Sequence, residues 1–282
     1  MTSEVIGVGP KPRYRPAMMG QTQPVGDLLR EWRQRRRMSQ LDLALEASVS
    51  TRHLSFVESG RAQPSREMVL NLAERLEVPL RERNVLLVAA GFAPLFRERN
   101  LDDPALGSAR KAVDLVLQGH EPYPALAVDR HWTMVAANTA VVRLVDGADP
   151  SLLAPPVNVL RLSLHPKGLS TRIANLCEWR AHLLERLRRQ IEVSADPVLA
   201  GLVDELQGYP APGSRRKAAG GAEFAGVVVP LQLATDAGTL SLFSTTTVFG
   251  TPVDVTLSEL ALECFYPADA ATAEALRRLA AP

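Results

Sequence analysis

Residues 39–60 constrain the fold of this chain more than any other stretch. Ser39-Gln40-Leu41-Asp42-Leu43-Ala44 and Ser50-Thr51-Arg52-His53-Leu54-Ser55-Phe56-Val57-Glu58-Ser59-Gly60 read as two short helices joined by a tight turn at Ser48-Val49. Ser39 and Ser50 suit helix N-caps, because a serine hydroxyl accepts from a backbone N–H that the helix itself leaves unpaired. Leu43, Ala44 and Ala47 form an apolar stripe at helical spacing, and Leu54 and Val57 do the same on the second helix. Thr51, Arg52, Ser55 and Phe56 are then expected to face outward. A pair of helices of this kind can lay its second member in the DNA major groove. Arg offers guanine a bidentate fork there, and Thr offers a hydroxyl and a methyl group.

Five helices fit the surrounding segment. The first runs from Val25 to Arg37, with Leu28, Leu29 and Trp32 inward and a basic run at Arg35-Arg36-Arg37. After the motif pair, Ser65 caps Arg66 to Leu76, with Glu67 placed where a negative charge suits the helix dipole. Pro79-Leu80 opens a last helix that reaches Ala90, and Gly91 ends it. Gln40, Leu43-Ala44, Val49-Ser50, Leu54, Val57 and Glu58-x-Gly60 together resemble the Xre/Cro-type helix-turn-helix repressors over roughly 24–90. That family usually has Gly before the Val of the turn; here it is Ser48, which takes on the same left-handed backbone at some strain. The resemblance implies an ion pair between Arg33 and Glu58 that clamps the first helix to the recognition helix. The expected DNA contacts are Gln40 on a phosphate, then Ser50, Thr51, Arg52, Ser55 and Phe56 on the recognition helix. Arg61 in the loop that follows, and Arg66, complete the set.

Net charge adds little to this. The chain carries 32 Lys and Arg against 31 Asp and Glu. Residues 24–90 hold 11 Arg against 9 acidic residues, so phosphate binding must rest on local placement and not on a global field. A length of 282 residues leaves room for about two domains. Residues 1–23 are rich in Pro, Gly and Arg without an apolar period, and are expected to form a disordered arm. That arm lacks the apolar core of a signal peptide, and no stretch approaches the roughly 18 apolar residues of a membrane span. Cys177 and Cys264 are read as two reduced, buried thiols in a cytoplasmic protein.

Residues 92–119 read as a linker followed by a connecting helix from Pro104 to Gln118. The texture then changes. Ala125–Val128 and Trp132–Ala136 read as strands around an Asp129-Arg130 turn, and Asn138 caps a short helix through Leu144. Thr171 to Val193 is helical, with Ile173, Leu176, Cys177, Leu183, Leu184, Leu187 and Ile191 near a 3.6 period. Asp196-Pro197 starts another helix to Leu206, and 211–221 is a Pro/Gly/basic loop. Residues 225–233 and 239–249 suggest a hairpin, 255–266 a third strand, and 268–281 a closing helix. Two strands, several helices, then three strands is the order of a PAS-type domain with an antiparallel sheet. The expected architecture is therefore an all-α five-helix reader over 24–91 and an α+β PAS-like domain over 120–282.

Ala89-Ala90-Gly91-Phe92-Ala93-Pro94, Asp129-Arg130-x-Trp132, Asn138, Asn158-x-Leu160-Arg161, His165-Pro166 and Glu178-Trp179 resemble the MmyB-like transcriptional regulators. That resemblance implies a ligand-responsive regulator; an operator in double-stranded DNA presents two recognition helices with successive major-groove turns, so a homodimer is expected. Its PAS-like domain would take a small apolar ligand, with a fatty acid or similar acyl chain as the suspected occupant and no other cofactor. Trp132, Leu160, Leu164, Trp179, Leu183 and Phe243 are the expected walls, with Arg161 or His165 meeting a carboxylate. Two alternatives stand beside it: a constitutive DNA-binding dimer, or an enzyme with DNA-linked regulation. Against the enzyme, His53, His120, His131, His165 and His182 are scattered outside any metal-ligand spacing. No G-x-S-x-G elbow, P-loop or G-x-G-x-x-G opens a helix after a strand, so no catalytic or metal residue is assigned.

Overall fold

The computed structural model describes residues 23–210, 229–250, 252 and 254–280. The expected arm over 1–22, the 211–221 loop and the expected strand start at 225–228 lie outside the described residues. In chain order the helices before the sheet are α1 (Val25–Arg35), α2 (Gln40–Glu46), α3 (Thr51–Glu58), α4 (Arg66–Arg75), α5 (Leu80–Ala89) and α6 (Gly107–Gly119). Strands β1 (Ala125–Val128) and β2 (Met134–Ala137) follow, then α7 (Thr139–Leu144), α8 (Pro150–Leu153), α9 (Val159–Leu164), α10 (Leu176–Ser194) and α11 (Pro197–Gly208). The chain closes with β3 (Leu231–Thr235), β4 (Gly238–Val248), α12 (Val255–Ser258), β5 (Ala261–Pro267) and α13 (Ala270–Ala280). Two compact units result: one holds the described residues up to Arg99 together with α12, the other runs from Asn100 to Gly250 and from Glu259 onward.

In the first unit, α1 to α5 enclose a core built on Leu29, Leu43, Leu54, Val57, Leu72 and Leu87, all fully shielded. The three expected serine caps form: Ser39 accepts from Asp42 N–H in a capping box, Ser50 from His53 N–H and Ser65 from Met68 N–H. Ser48 adopts the left-handed conformation at φ 56°, as the turn requires. The first helix stops at Arg35, because Arg37 turns left-handed at φ 55°. A Cβ on Gly26 would lie 2.3 Å from the Val57 carbonyl oxygen, so α1 reaches α3 only with glycine there.

Glu58 joins these helices. Arg33 donates from Nε to Oε1 at 2.7 Å and from Nη2 to Oε2 at 2.8 Å, in a bidentate pair. Gln40 Nε2 also donates to Oε2 at 2.8 Å, and Arg30 Nη2 donates to the Glu58 carbonyl at 2.9 Å. The Glu58 side chain has no exposed surface and that of Arg33 only 11%. Burial pushes the Glu58 carboxyl up, but hydrogen bonds from Arg33 and Gln40 and the Arg30 charge outweigh it and hold the group below its ordinary range. Beyond α5, Asn84 fastens the following segment by donating to Phe96 O and accepting from the Leu95 and Phe96 N–H groups. That segment is paired in turn with α12: Val255 N–H donates to Arg97 O at 2.9 Å, and Arg99 Nη1 lies 3.1 Å from the buried Asp254.

The second unit is a five-stranded antiparallel sheet in the order β2-β1-β5-β4-β3, with α7, α9 and α10 lining one of its faces. The expected strand over 255–266 divides: Asp254 accepts from Thr256 N–H and starts the turn α12, and only 261–267 is extended. Strand β2 begins at Met134, not at Trp132. Asp129 accepts from the His131 and Thr133 N–H groups and folds the turn, leaving Trp132 at φ 65°. Helix α10 starts five residues later than expected, after a 3-10 turn at Ser170–Arg172. Cys264 is buried, but Cys177 is exposed, because Leu176 and Trp179 take the inward positions of that helical turn.

Asp196 ties the β1–β2 turn to α11. It caps α11 by accepting from Val198 N–H, takes a hydrogen bond from His131 Nε2 at 2.8 Å, and lies 3.4 Å from Arg130. Burial alone would raise its carboxyl, yet these partners hold it down at about 2. A carboxyl depressed in the fold stabilises it above the ordinary carboxylate range and loses that contribution as pH falls toward the folded value. Asp196→Asn is therefore expected to lower stability by about 2 kcal/mol near pH 7, with the deficit closing between about pH 4 and pH 2. Urea unfolding across that range reads the difference. For the clamp, Arg33→Met strands the Glu58 carboxylate and is expected to cost about 3–5 kcal/mol in chemical denaturation. The double replacement Arg33→Met with Glu58→Met should lose less than Arg33→Met alone.

Candidate functional site

Helix α3 buries Leu54, Val57 and Glu58 and turns the opposite face outward. Arg52 and His53 are exposed there, and Thr51, Ser55 and Phe56 are half-exposed. The Arg52 guanidinium lies 5.4 Å from the Phe56 ring centre and that of Arg61 lies 6.0 Å from it. One aromatic ring thus gathers two cations at the outer face of the helix. Arg66 sits on the first turn of α4, and among the described residues its buried Nε has no hydrogen-bond partner.

Two polar side chains near this face, Gln40 and Arg36, are otherwise engaged. The Gln40 amide donates to Glu58, so a phosphate at this position would have to take that donor or use the backbone N–H at the start of α2. Arg36, part of the basic run, donates to the carbonyls of Leu76 and Glu77 at the end of α4.

In the second unit, the sheet and the helices enclose a cavity of about 100 Å³. Leu126 and Leu242 line it from the strands, Val141 and Leu144 from α7, Leu160 from α9, and Trp179 and Leu183 from α10. Trp132 closes it from the β1–β2 turn, with its indole N–H donating to Gln190 at 2.9 Å. The left-handed backbone at Trp132 is strain held in place at the cavity wall. Four of the eight expected ligand residues therefore stand on the wall: Trp132, Leu160, Trp179 and Leu183.

The other four lie elsewhere. Leu164 is buried in the surrounding core. Arg161 forms a bidentate pair with Glu205 at 2.8 and 2.7 Å, and Tyr209 also donates to Glu205. His165 packs edge-on against Tyr209, with ring centres 5.0 Å apart. Phe243 stacks on Tyr266, because successive residues of a strand face opposite sides and Leu242 takes the cavity side.

Sequence reading missed the polar end of the cavity. Arg186 and Glu263 line it together, Nη1 donating to Oε2 at 2.9 Å, and the Glu263 side chain is only 4% exposed. Thr246 shares a hydrogen bond with each partner, and Ser244, two residues before it on β4, also faces the cavity. Glu263 interrupts an otherwise apolar run in Ala261–Pro267, and Arg186 follows Trp179 and Leu183 at helical spacing. Those were the two traces the sequence offered. His182 stacks on Trp179, and burial, followed by the neighbouring Arg186 charge, lowers its pKa.

No helix among the described residues is long and apolar enough to cross a membrane. Residues 29–83 match the helix-turn-helix family, and residues 109–279 match the MmyB-like transcription regulator ligand binding domain. A protein of Methanoculleus marisnigri, provisionally named as an HTH-type transcriptional regulatory protein, is 35% identical over 120 residues. The match takes in 41% of this chain and 38% of that relative's length. With the ligand-binding-domain match covering more than half the chain, and a helix-turn-helix ahead of it, this protein belongs to the MmyB-like transcription regulators: a DNA-binding helix-turn-helix joined to a ligand-binding domain.

Proposed function

We propose that this regulator reads its operator as a homodimer through the outer face of α3, and that an apolar ligand of the acyl-chain type in the second unit adjusts that binding. The observation that carries the first half is the pairing of Arg52 with Thr51 at the N-terminal end of α3, with Phe56 holding Arg52 and Arg61 nearby. On this reading Arg52 and Thr51 meet base edges, Ser50 and Ser55 flank them, and Arg61 and Arg66 hold phosphates. Two such helices are needed to span successive major-groove turns, which supports a dimer. The protein would act in the compartment that holds its DNA, the cytoplasm of a bacterial or archaeal cell.

The second half rests on the apolar cavity. Its volume of about 100 Å³ is below the usual range of small-molecule sites, about 300–1,000 Å³. A long acyl chain is therefore larger than the space the walls leave, and fits within them by moving them. That property favours a sensor, since a ligand shifts an equilibrium only through unequal affinity for two states.

Binding-site selection with the full chain tests the readout. Arg52→Ala is expected to relax the preference at one base pair and to cost about 1–3 kcal/mol there, while Arg66→Ala weakens all sequences alike. A selected motif and affinity unchanged by Arg52→Ala would overturn the assignment. For the ligand, native mass spectrometry should find an acyl compound in the purified protein, and its removal should change operator affinity. If the protein is empty and ten-carbon acyl compounds leave its melting temperature unmoved, the second unit serves dimerisation alone.

A further inference from the structure

Charge balance at the polar end of the cavity narrows the ligand further. Arg186 is the cation on that wall and Glu263 the anion, and they are bonded to each other. Arg186 also lies over Trp132, its guanidinium carbon 4.6 Å from the ring centre. With Trp132 on one side and Glu263 and Thr246 on the other, the guanidinium has its partners already. His182, next in line on α10, adds no fixed positive charge, because burial and Arg186 both disfavour its protonated form.

A free carboxylate entering this end would have to share Arg186 with Glu263. Glu263 is almost wholly buried, so two carboxylates would face each other with one cation between them. Displacing Glu263 instead would leave a buried charge without its partner. An uncharged head group meets neither problem. A hydroxyl or carboxamide can donate to Glu263 and exchange a hydrogen bond with the Ser244 hydroxyl without adding a charge.

We propose that the cavity selects amphiphiles with an uncharged hydrogen-bonding head, an alcohol or amide of an acyl chain, over the free fatty acid. The Arg186–Glu263 pair with Ser244 beside it is the selecting element. This rests on the apolar cavity being the ligand site, as proposed above.

The test is a matched ten-carbon series, 1-decanol, decanamide and decanoate, titrated into the full-length protein at pH 8 by calorimetry. Wild type is expected to bind decanol and decanamide at least about tenfold more tightly than decanoate, on the scale of one charged pair made or broken. Glu263→Gln removes the competing anion, frees Arg186, and should tighten decanoate tenfold or more, reversing the order. Simple partition of an apolar chain would also rank decanol above decanoate in wild type, but would leave decanoate unmoved by Glu263→Gln, and that result overturns the proposal. If Glu263→Gln does not fold, Ser244→Ala decides: it should weaken decanol about fivefold and leave decanoate unchanged, and equal losses for both overturn the selection. Decanoate binding to wild type as tightly as decanol also overturns it while leaving the cavity as the ligand site. If none of the three compounds binds, the cavity reading fails and this one falls with it.

Discussion

The buried carboxylate of Glu58 fixes the geometry of the DNA-binding unit. It sits at the end of α3, yet its hydrogen bonds come from Arg33 of α1 and Gln40 of α2, with the Arg30 charge 3.7 Å away, so one group sets the relative placement of three helices. Apolar contacts between Leu29, Leu43 and Leu54 supply most of the driving force for collapse, but they are tolerant of small sliding motions. A bidentate pair held at 2.7 and 2.8 Å is not. Gly26 removes the one steric obstacle to that approach, since any Cβ there would meet the backbone of α3. What the clamp provides is therefore position: the outer face of α3 is presented at a fixed angle, and the readout proposed above depends on that angle.

The second unit uses a buried ion pair differently. Arg186 and Glu263 come from a helix and a strand on either side of the cavity, and their pairing leaves a polar but uncharged corner in an apolar chamber. A buried pair of this kind contributes little net stability once desolvation is counted. On the selection proposed above, its effect is on what the chamber accepts. Both units thus enclose an Arg–Glu pair, one fixing the placement of α1 against α3 and one setting the polarity of a pocket.

Much of this was legible in the sequence. Caps, turn and apolar stripes over 39–60 are local features, and each formed as spacing implied, down to the left-handed Ser48. The strand–helix–strand order of the second half also follows from local texture, and the sheet has the expected antiparallel form. What escaped was parity and long-range pairing. Phe243 and Leu242 look alike in sequence, and only the register of β4 against β5 decides which faces the cavity. Arg161 and His165 looked like carboxylate anchors, but Glu205 and Tyr209, more than forty residues away, surround them. Arg186 and Glu263 are separated by 77 positions, so their pairing has no local trace beyond a charge in an apolar run. Asp254 likewise turned an apparent strand into the turn α12.

The course of the chain links the two functions. Strands β4 and β5 carry Leu242, Ser244, Glu263 and Phe265 on the cavity wall, and the segment between them belongs to the DNA-binding unit. That segment is held there by Arg97 and Arg99 through Asp254 and Val255, and the same stretch is fastened to α5 by Asn84 and by the Arg81–Glu98 pair. Among the described residues, Asp254, Val255 and Thr256 of that segment attach to Arg97 and Arg99 of the same unit. Coupling of this kind needs an element with two arrangements, biased by both events. On the reading proposed above, the cavity supplies it, since a chamber narrower than the chain it takes must move its strands or helices on filling. Arg99 and Asp254 hold that segment to the stretch after α5.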